Sequence, residues 1–318
     1  MGSNTRGPAP REPSVIKVLL AFGAIYIIWG STFLAIRFAV QTLPPLLMMG
    51  VRQLAAGILL FAWVLARGRA WPERRLWRPA LVAGAFCFVG CHGLLGWAEL
   101  RVPSGLAALL AASLPNWMVL GARAWGQGSE LTPRALSGIA LGFIGVAVLI
   151  PFRFSGHQME TLSALAILLG EVLWAIGAIY ARGVRTSAPA ATFAAMQMIC
   201  GGALLSAIGL ASGEAARLTA AAFTTRSVLS LLFLIVFGSL VAFTAYSWLL
   251  QVRSPAVVST HSYVNPLIAV LLGWAMAGER VTARTMLGAV IILASIAVIG
   301  IRKTPAPLQG EIAENGSS

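Results

Sequence analysis

The stretch VTARTMLG, residues 281–288, repeats the stretch LTPRALSG, residues 131–138, at an offset of 150 positions. Each stretch opens an apolar block of about 20 residues, the length that spans a bilayer as a helix. Similar offsets, 144 and 145, relate two further sets of residues: Pro45, Gln53 and Gly57 to Pro189, Gln197 and Gly201, and Trp29 and Arg37 to Trp174 and Arg182. Because loop insertions make such offsets drift, the sequence predicts two related halves.

Apolar blocks fill most of the chain outside these stretches. The 318 residues are 58% hydrophobic and 10% charged, and the mean hydropathy is +0.84. Soluble domains are about 45–50% apolar and about 25% charged, so a water-soluble protein is excluded. Ten blocks have the length of a spanning helix: 16–36, 45–66, 79–99, 104–123, 132–151, 161–181, 189–211, 227–250, 255–276 and 281–301.

Five blocks fall in each half. Because five is odd, the second half must enter the membrane from the side opposite to the first, which is the inverted repeat of many secondary transporters. We therefore predict an all-α integral membrane protein of ten transmembrane helices, arranged as two five-helix inverted-topology repeats around a central cavity. The predicted parts are a cytoplasmic tail (1–15), a first repeat (16–152), a linker (153–160), a second repeat (161–303) and a cytoplasmic tail (304–318).

Positive charge lies mostly between the blocks. The chain holds 23 Lys and Arg against 10 acids, a net charge of +13. In a soluble protein this excess would suggest nucleic acid as a partner. Here fifteen of the basic residues lie on one side when the N-terminus is placed inside, seven lie on the other, and Arg52 lies within a block. The positive-inside rule then predicts both termini in the cytoplasm of a bacterial-type inner (plasma) membrane, with no nucleic-acid partner.

The residue inventory argues against enzyme chemistry. All ten acids are Glu, and the only lysines are Lys17 and Lys303, so neither an Asp-held metal site nor a P-loop is present. No His-Glu-x-x-His run exists, which leaves an intramembrane enzyme as a weak alternative. Soft metal binding by Cys87, Cys91 and His92 is a further alternative, but we predict no metal and no cofactor, with these cysteines as small packing residues.

Several motifs carry a family resemblance. They are IIWGSTFLAIRFAV (27–40), WAELRVPSGLAALLAASLP (97–115), ELTPRALSGIALGFIGVAVL (130–149) and SYVNPLIAVLLGWAMAGERVT (262–282). With these the sequence resembles the ten-helix EamA-type transporters of the drug/metabolite transporter superfamily, including their amino-acid exporter branch. Each half carries a Pro and then a Gly-Glu motif, which is Gly278-Glu279 in the second half and the looser Gly128-Ser129-Glu130 in the first. The resemblance implies export of small organic solutes, often amino acids.

Polar and aromatic residues inside the blocks are the candidate site. Glu171 lies near the middle of block six with Trp174 one turn later, and it is the candidate for proton coupling or for a substrate ammonium. A neutral structural Glu is the alternative. Arg52 is interpreted as a structural partner, with substrate contact as the alternative. The predicted cavity residues are Trp29, Ser31, His92, Glu99, Asn116, Trp117, Glu171, Trp174, Tyr246, His261 and Asn265.

Three structural alternatives stay open for these residues. Pro115 and Pro266 interrupt blocks four and nine, where broken helices line transport sites, but simple kinks would also explain them. The tryptophans would otherwise be packing or interfacial residues. Glu99 would otherwise pair locally with Arg101.

The predicted function is a secondary transporter or facilitator that exports small organic solutes, chiefly amino acids and related metabolites, by alternating access. Cationic drug efflux and sugar or nucleotide-sugar transport by the same fold are the alternatives, and a receptor or scaffold that moves nothing is another. The predicted partners are the lipid bilayer and a small-molecule substrate, and the chain would act as a monomer or homodimer.

Overall fold

A computed structural model describes residues 14–126, 132–150, 158–186, 188–253, 258 and 260–300, and within these ranges the regular structure is helical throughout. Ten helical segments follow the ten predicted blocks. They are α1 (Val15–Val40), α2 (Pro45–Ala66), α3 (Arg74–Ala98), α4 (Ser104–Ala124), α5 (Pro133–Leu149), α6 (Gln158–Gly183), α7 (Ala190–Ala211), α8 (225–252), α9 (His261–Ala277) and α10 (Ala283–Gly300). Nearly all of the two predicted tails, most of the predicted linker and Glu130 lie outside the described residues.

Seven of these helices, α1 to α4 and α6 to α8, are long and apolar enough to cross a membrane. The outside of the bundle is apolar as well: Leu229, Trp274 and Val290 are 60%, 61% and 60% exposed. A soluble monomer rarely exposes such side chains in large patches, so lipid is the expected surrounding. The all-helical membrane fold is thus confirmed, while ten crossings in two repeats stay a prediction.

Three helices contain π-helical stretches, and α4 and α9 are interrupted. The stretches are Ala24–Ile28 in α1, Ala85–His92 in α3 and Leu234–Val241 in α8. Helix α4 breaks between Ala111 and Leu114, just before Pro115, and α9 contains Pro266. Such irregularities free backbone groups and often mark functional sites.

Helices α2 and α7 pack closely and antiparallel. Gly50 contacts Ser206, Leu54 contacts Gly202, and Gly57 contacts Ile199. Each step forward along α2 is matched by an equal step back along α7. A Cβ at Gly57 would lie 2.8 Å from the Ile199 amide nitrogen, so only glycine allows this approach. Helices α5 and α10 are antiparallel in the same way, with Gly142, Gly145 and Leu149 against Ser295, Ile292 and Gly288.

Three further sets of helix contacts come in pairs. Helix α3 packs on α6 as α8 packs on α1. Likewise α1 packs on α9 as α6 packs on α4, and α2 packs on α8 as α7 packs on α3. Exchanging each helix of the first five with its counterpart five positions later therefore reproduces these contacts. This is the symmetry that two related halves would have.

The hydrophobic core differs at the two ends of the bundle. Where α1 ends and α2 begins, one continuous cluster joins residues of most helices, among them Val40, Met49, Ala107, Leu149 and Ile292. We call this the joined end. At the opposite end, the split end, the core is two separate clusters, one around Phe61, Leu76 and Phe193 and the other around Val18, Ile25 and Leu249.

Candidate functional site

A cavity of about 170 Å³ lies in the middle of the bundle. Its floor contains Ile36, Leu95 and Ala112 of the continuous cluster at the joined end. Its walls belong to the two clusters of the split end, with Phe88 on one side and Trp29 on the other. The cavity therefore lies between the two separate clusters and is sealed where the core is continuous.

One wall carries an aromatic group that we call the Trp29 cluster: Trp29, Tyr246 and His261. The ring of Trp29 lies 5.0 Å from Tyr246 and 5.1 Å from His261, centroid to centroid, and Tyr246 lies 5.9 Å from His261. Trp29 Nε1 donates to the Gly238 carbonyl at 3.0 Å, inside the π-helical stretch of α8. The irregular backbone of α8 thus fixes the indole of α1.

The other wall carries the Trp174 cluster: Phe88, His92 and Trp174. The imidazole of His92 stacks on Trp174, with centroids 5.2 Å apart and 29° between the planes. Phe88 lies 5.3 Å from His92 and 6.2 Å from Trp174. Gln53 Nε2 lies 2.7 Å from His92 Nδ1, and because an amide nitrogen can only donate, Nδ1 accepts here and the ring proton is assigned to Nε2.

Two ionisable side chains line the cavity without an ion pair. Arg52 is 4% exposed; its Nε donates to Ser239 Oγ at 3.2 Å and one terminal nitrogen lies 3.9 Å from Met49 Sδ. Glu171 is 6% exposed, and its hydrogen-bond contact is the Cys91 thiol at 3.8 Å. Among the described residues, neither side chain has an oppositely charged group within ion-pair distance.

Seven of the predicted site residues line this cavity: Trp29, His92, Glu171, Trp174, Tyr246, His261 and Asn265. The structure thus brings together residues of α1, α3, α6, α8 and α9. With its amide nitrogen turned to donate, Asn265 reaches the carbonyls of Tyr26 and His261 at 3.1 Å each. Asn265 therefore ties α9 to α1 at the edge of the cavity.

Four predicted residues lie elsewhere. Ser31 Oγ donates to the carbonyl of Ile27 in its own helix at 2.6 Å, and its neighbour Thr32 lines the cavity instead. Trp117 lies 5.0 Å from the ring of Phe143 on α5. Asn116 is 1% exposed and packs against Gly142 of α5.

Glu99 is the fourth, and it lies at the joined end just after α3. It is fully buried, and neither carboxyl oxygen has a hydrogen-bond partner among the described residues. Its backbone carbonyl accepts from the guanidinium of Arg37. Glu99 is therefore part of the sealed side of the bundle rather than of the cavity lining.

Sequence reasoning missed several lining residues. Gln53 and Arg52 both face the cavity, although the sequence indicated Gln53 only as a match between repeats and Arg52 as a structural partner, with substrate contact as the alternative. A polar or charged side chain in the middle of an apolar block was the available signal. Phe88 and Phe243 carry no comparable signal, because aromatic residues in apolar blocks are common.

The joined end also contains two carboxylates that cap helices. Glu279 Oε1 accepts from the Ser104 amide at 2.7 Å and from its hydroxyl at 2.8 Å, and Oε2 accepts from the Gly105 amide at 3.0 Å. Glu214 accepts from the amides of Leu46 and Leu47 at 3.3 and 2.9 Å. The two acids thus hold the starts of α4 and α2 to segments of the second half.

The EamA-like transporter family matches the chain twice, over residues 15–150 and 161–301. The inner membrane transporter YedA of Escherichia coli strain K12 is 36% identical over 308 residues, 95% of this chain and 97% of that protein. A probable amino-acid metabolite efflux pump of Salmonella typhimurium is 28% identical over 290 residues, 87% of this chain and 93% of that protein.

The fold is also found in a crystal structure that is 21% identical. It matches with a TM-score of 0.61 over 89% of this chain and 97% of that chain, which shows a shared fold. The resemblance found in the sequence is thereby confirmed: the chain belongs to the EamA-like transporter family, and it is a membrane transporter of the drug/metabolite transporter type.

Proposed function

We propose that this transporter exports small organic solutes, chiefly amino acids and related metabolites, across the inner membrane by alternating access. The observation that carries the proposal is the cavity, which holds Arg52 and Glu171 without an ion-pair partner among the described residues and has the continuous cluster of the joined end as its floor. The name of the Salmonella relative supports amino-acid metabolites as the cargo, and the name of YedA supports the inner membrane as the location.

Alternating access needs two halves that rock about a central site. The paired helix contacts and the antiparallel packing of α2 on α7 and of α5 on α10 support two inverted repeats. The positive-inside distribution supports a cytoplasmic location for the start of α1, and with it for the split end. The cavity would then be loaded from the cytoplasm in this conformation, as an exporter requires.

Cationic drug efflux is the second candidate, because Glu171 and the aromatic walls are suited to an organic cation. Arg52 argues against it, since a buried guanidinium in the same cavity repels a cation. A substrate that carries both charges satisfies the two side chains together.

Flux in proteoliposomes tests the proposal. Purified protein is reconstituted, the vesicles are loaded with labelled amino acids, and efflux is measured with and without an imposed pH gradient. Efflux above that of loaded vesicles without protein supports export, and efflux driven uphill by the pH gradient indicates proton antiport. If a panel of amino acids, organic cations and sugars all stay inside, the proposed function is wrong. Leu229→Ala, on the lipid-facing surface, is the matched control that keeps the flux of the parent.

A further inference from the structure

We infer that the cavity binds its substrate as an α-amino acid zwitterion, with Arg52 on the carboxylate, Glu171 on the ammonium and the side chain between the two aromatic clusters. This inference rests on the proposed function and specifies its substrate class. It assigns a substrate-binding role to Arg52.

The first step is the guanidinium of Arg52. An arginine has five N–H donors in a planar fork, and in this structure one reaches Ser239 Oγ and another lies near Met49 Sδ. The other donors have no partner among the described residues, although the side chain is 4% exposed. Burying a charge without a partner is costly, and inside a membrane protein such groups usually serve the transport path. A planar carboxylate is the ligand that fits this fork in a bidentate way.

Glu99 is the acid that could satisfy Arg52 instead. The carboxyl group of Glu99 interacts electrostatically with Arg37, Arg52 and Glu279. It is fully buried outside the cavity, and its oxygens contact none of these side chains at hydrogen-bond distance. Arg52 lines the cavity and Glu99 does not. In this conformation the open side of Arg52 therefore faces the place a substrate would enter.

The second step is the carboxyl group of Glu171. Its described hydrogen-bond contact is a thiol at 3.8 Å, a weak donor that leaves most of the acceptor capacity unused. An ammonium offers three N–H donors and the compensating charge. Glu171 is on α6 and Arg52 is on α2, so one substrate molecule would connect helices of the two predicted halves.

The third step is that both charged groups line one cavity beside the Trp174 cluster. Gln53, the neighbour of Arg52, hydrogen-bonds His92, and Cys91, the neighbour of His92, contacts Glu171. His92, whose ring stacks on Trp174, is thus linked through sequence neighbours to both groups. The Trp29 cluster forms the opposite wall, so an apolar or aromatic substrate side chain would be held between ring faces.

A zwitterion neutralises both groups at once, and a substrate with one charge leaves the other group unpaired. Hydrogen bonds to charged groups are worth about 1.5–3 kcal/mol, which corresponds to roughly 10- to 150-fold in affinity. We expect L-phenylalanine to bind more tightly, by that factor, than its matched amine, phenethylamine, and its matched carboxylic acid, 3-phenylpropionate. The same order is expected for L-leucine and its matched amine and acid.

The test is a binding measurement with these probes on the purified full chain in nanodiscs, read by displacement of labelled L-phenylalanine and L-leucine. Arg52→Gln should weaken binding of the amino acid about 10- to 150-fold, and it should not weaken binding of the amine, which the guanidinium repels. Glu171→Gln should weaken binding of the amino acid and of the amine, and it should not weaken binding of the acid. Arg52→Lys should recover part of the loss, because it keeps the charge but not the fork.

The crossed pattern separates binding from folding, since a misfolded variant loses every probe. The inference is overturned if Arg52→Gln binds the amino acid as the parent does, or if all probes weaken equally in folded protein. If vesicles move organic cations or sugars but no amino acid, the zwitterion site is wrong while transport holds. If no solute moves and no probe binds the parent protein, the proposed function fails as well.

Discussion

Replacing Glu279 by alanine should loosen the joined end of the bundle. Gly278 takes the left-handed conformation, φ +64°, at the end of α9, and the next residue then points its carboxylate at the start of α4. The three hydrogen bonds to Ser104 and Gly105 tie the α9–α10 turn to α4. Ser104 is fully buried, so its amide and hydroxyl would lose their partner where little water can replace it.

The size of the effect follows from this geometry. A capping side chain is worth about 0.5–2 kcal/mol, and a negative charge at a helix N-terminus adds about 0.3–1 kcal/mol. Glu279 is itself half-buried, so water offsets part of the loss. A net cost of about 1–3 kcal/mol would shift the equilibrium between closed and open joined end by roughly 5- to 150-fold. Glu279→Gln keeps one acceptor oxygen and should cost about half as much.

Cysteine labelling measures this opening. Ala107 is fully buried in the continuous cluster, and Ala107→Cys in a Cys200→Ala background places a reporter there. A membrane-impermeant maleimide should label it roughly 5- to 150-fold faster with Glu279→Ala than without, and Glu279→Gln should fall between. The control is Glu73→Ala, which removes an exposed ion pair with Arg75 and should change nothing.

An unchanged labelling rate together with an unchanged unfolding temperature would refute the reasoning about Glu279. It would mean that water or another group satisfies the start of α4 without cost. Faster labelling in the Glu73→Ala control would instead show that the reporter responds to general loosening of the bundle.

Three further predictions concern the cavity and the helix packing. Trp29→Ala should lower flux at least about 10-fold, because Trp29 forms one wall of the cavity. The control Trp117→Ala changes a tryptophan outside the cavity and should keep the flux of the parent. Both are compared as vesicle efflux per folded molecule. Glu171→Gln should abolish any dependence of flux on the pH gradient, and an unchanged gradient response would exclude Glu171 as the proton-coupling group. Gly57→Val should lower the free energy of unfolding by about 1–3 kcal/mol, because its Cβ would lie 2.8 Å from the Ile199 amide nitrogen. A lower unfolding temperature measures this loss, and a variant as stable as the parent would show that α2 and α7 can separate freely.

The helices could be predicted from the sequence because bilayer thickness sets their length. Each apolar block became a helix, and small residues within the blocks allow close packing: Gly142 and Gly145 of α5 lie against α10. These properties depend on composition and spacing along one helix. The rotation of each helix about its axis depends on its neighbours, and the sequence alone does not contain it.

Ser31 and Thr32 illustrate this limit. Adjacent residues on a helix point about 100° apart, and the π-helical stretch just before Trp29 shifts the register further. The result is that Thr32 faces the cavity and Ser31 bonds its own helix. The equivalence of the repeats misled in a similar way for α4: Asn265 of α9 lines the cavity, while Asn116, next to the corresponding proline, packs against α5.

The two repeats also differ at the ends of α2 and α7, and this difference favours the conformation seen here. Helix α2 is followed by Gly68 and α7 by Gly213, both left-handed, with φ +72° and +80°. The next residue is Arg69 in the first half and Glu214 in the second. Glu214 accepts from amides at the start of α2, where a negative charge is favourable. Arg69 has no acceptor and carries a positive charge, so it cannot cap the start of α7 in the same way.

Among the described residues, the same turn therefore carries a capping carboxylate at the joined end and an arginine at the split end. The positive-inside rule supplies a reason why this difference exists, because it favours arginine in turns on the cytoplasmic side. A charge distribution that orients the chain in the membrane would then also bias which end closes first. In the proposed exporter, with the predicted orientation, that bias would hold the empty cavity open toward the side from which the solute must come.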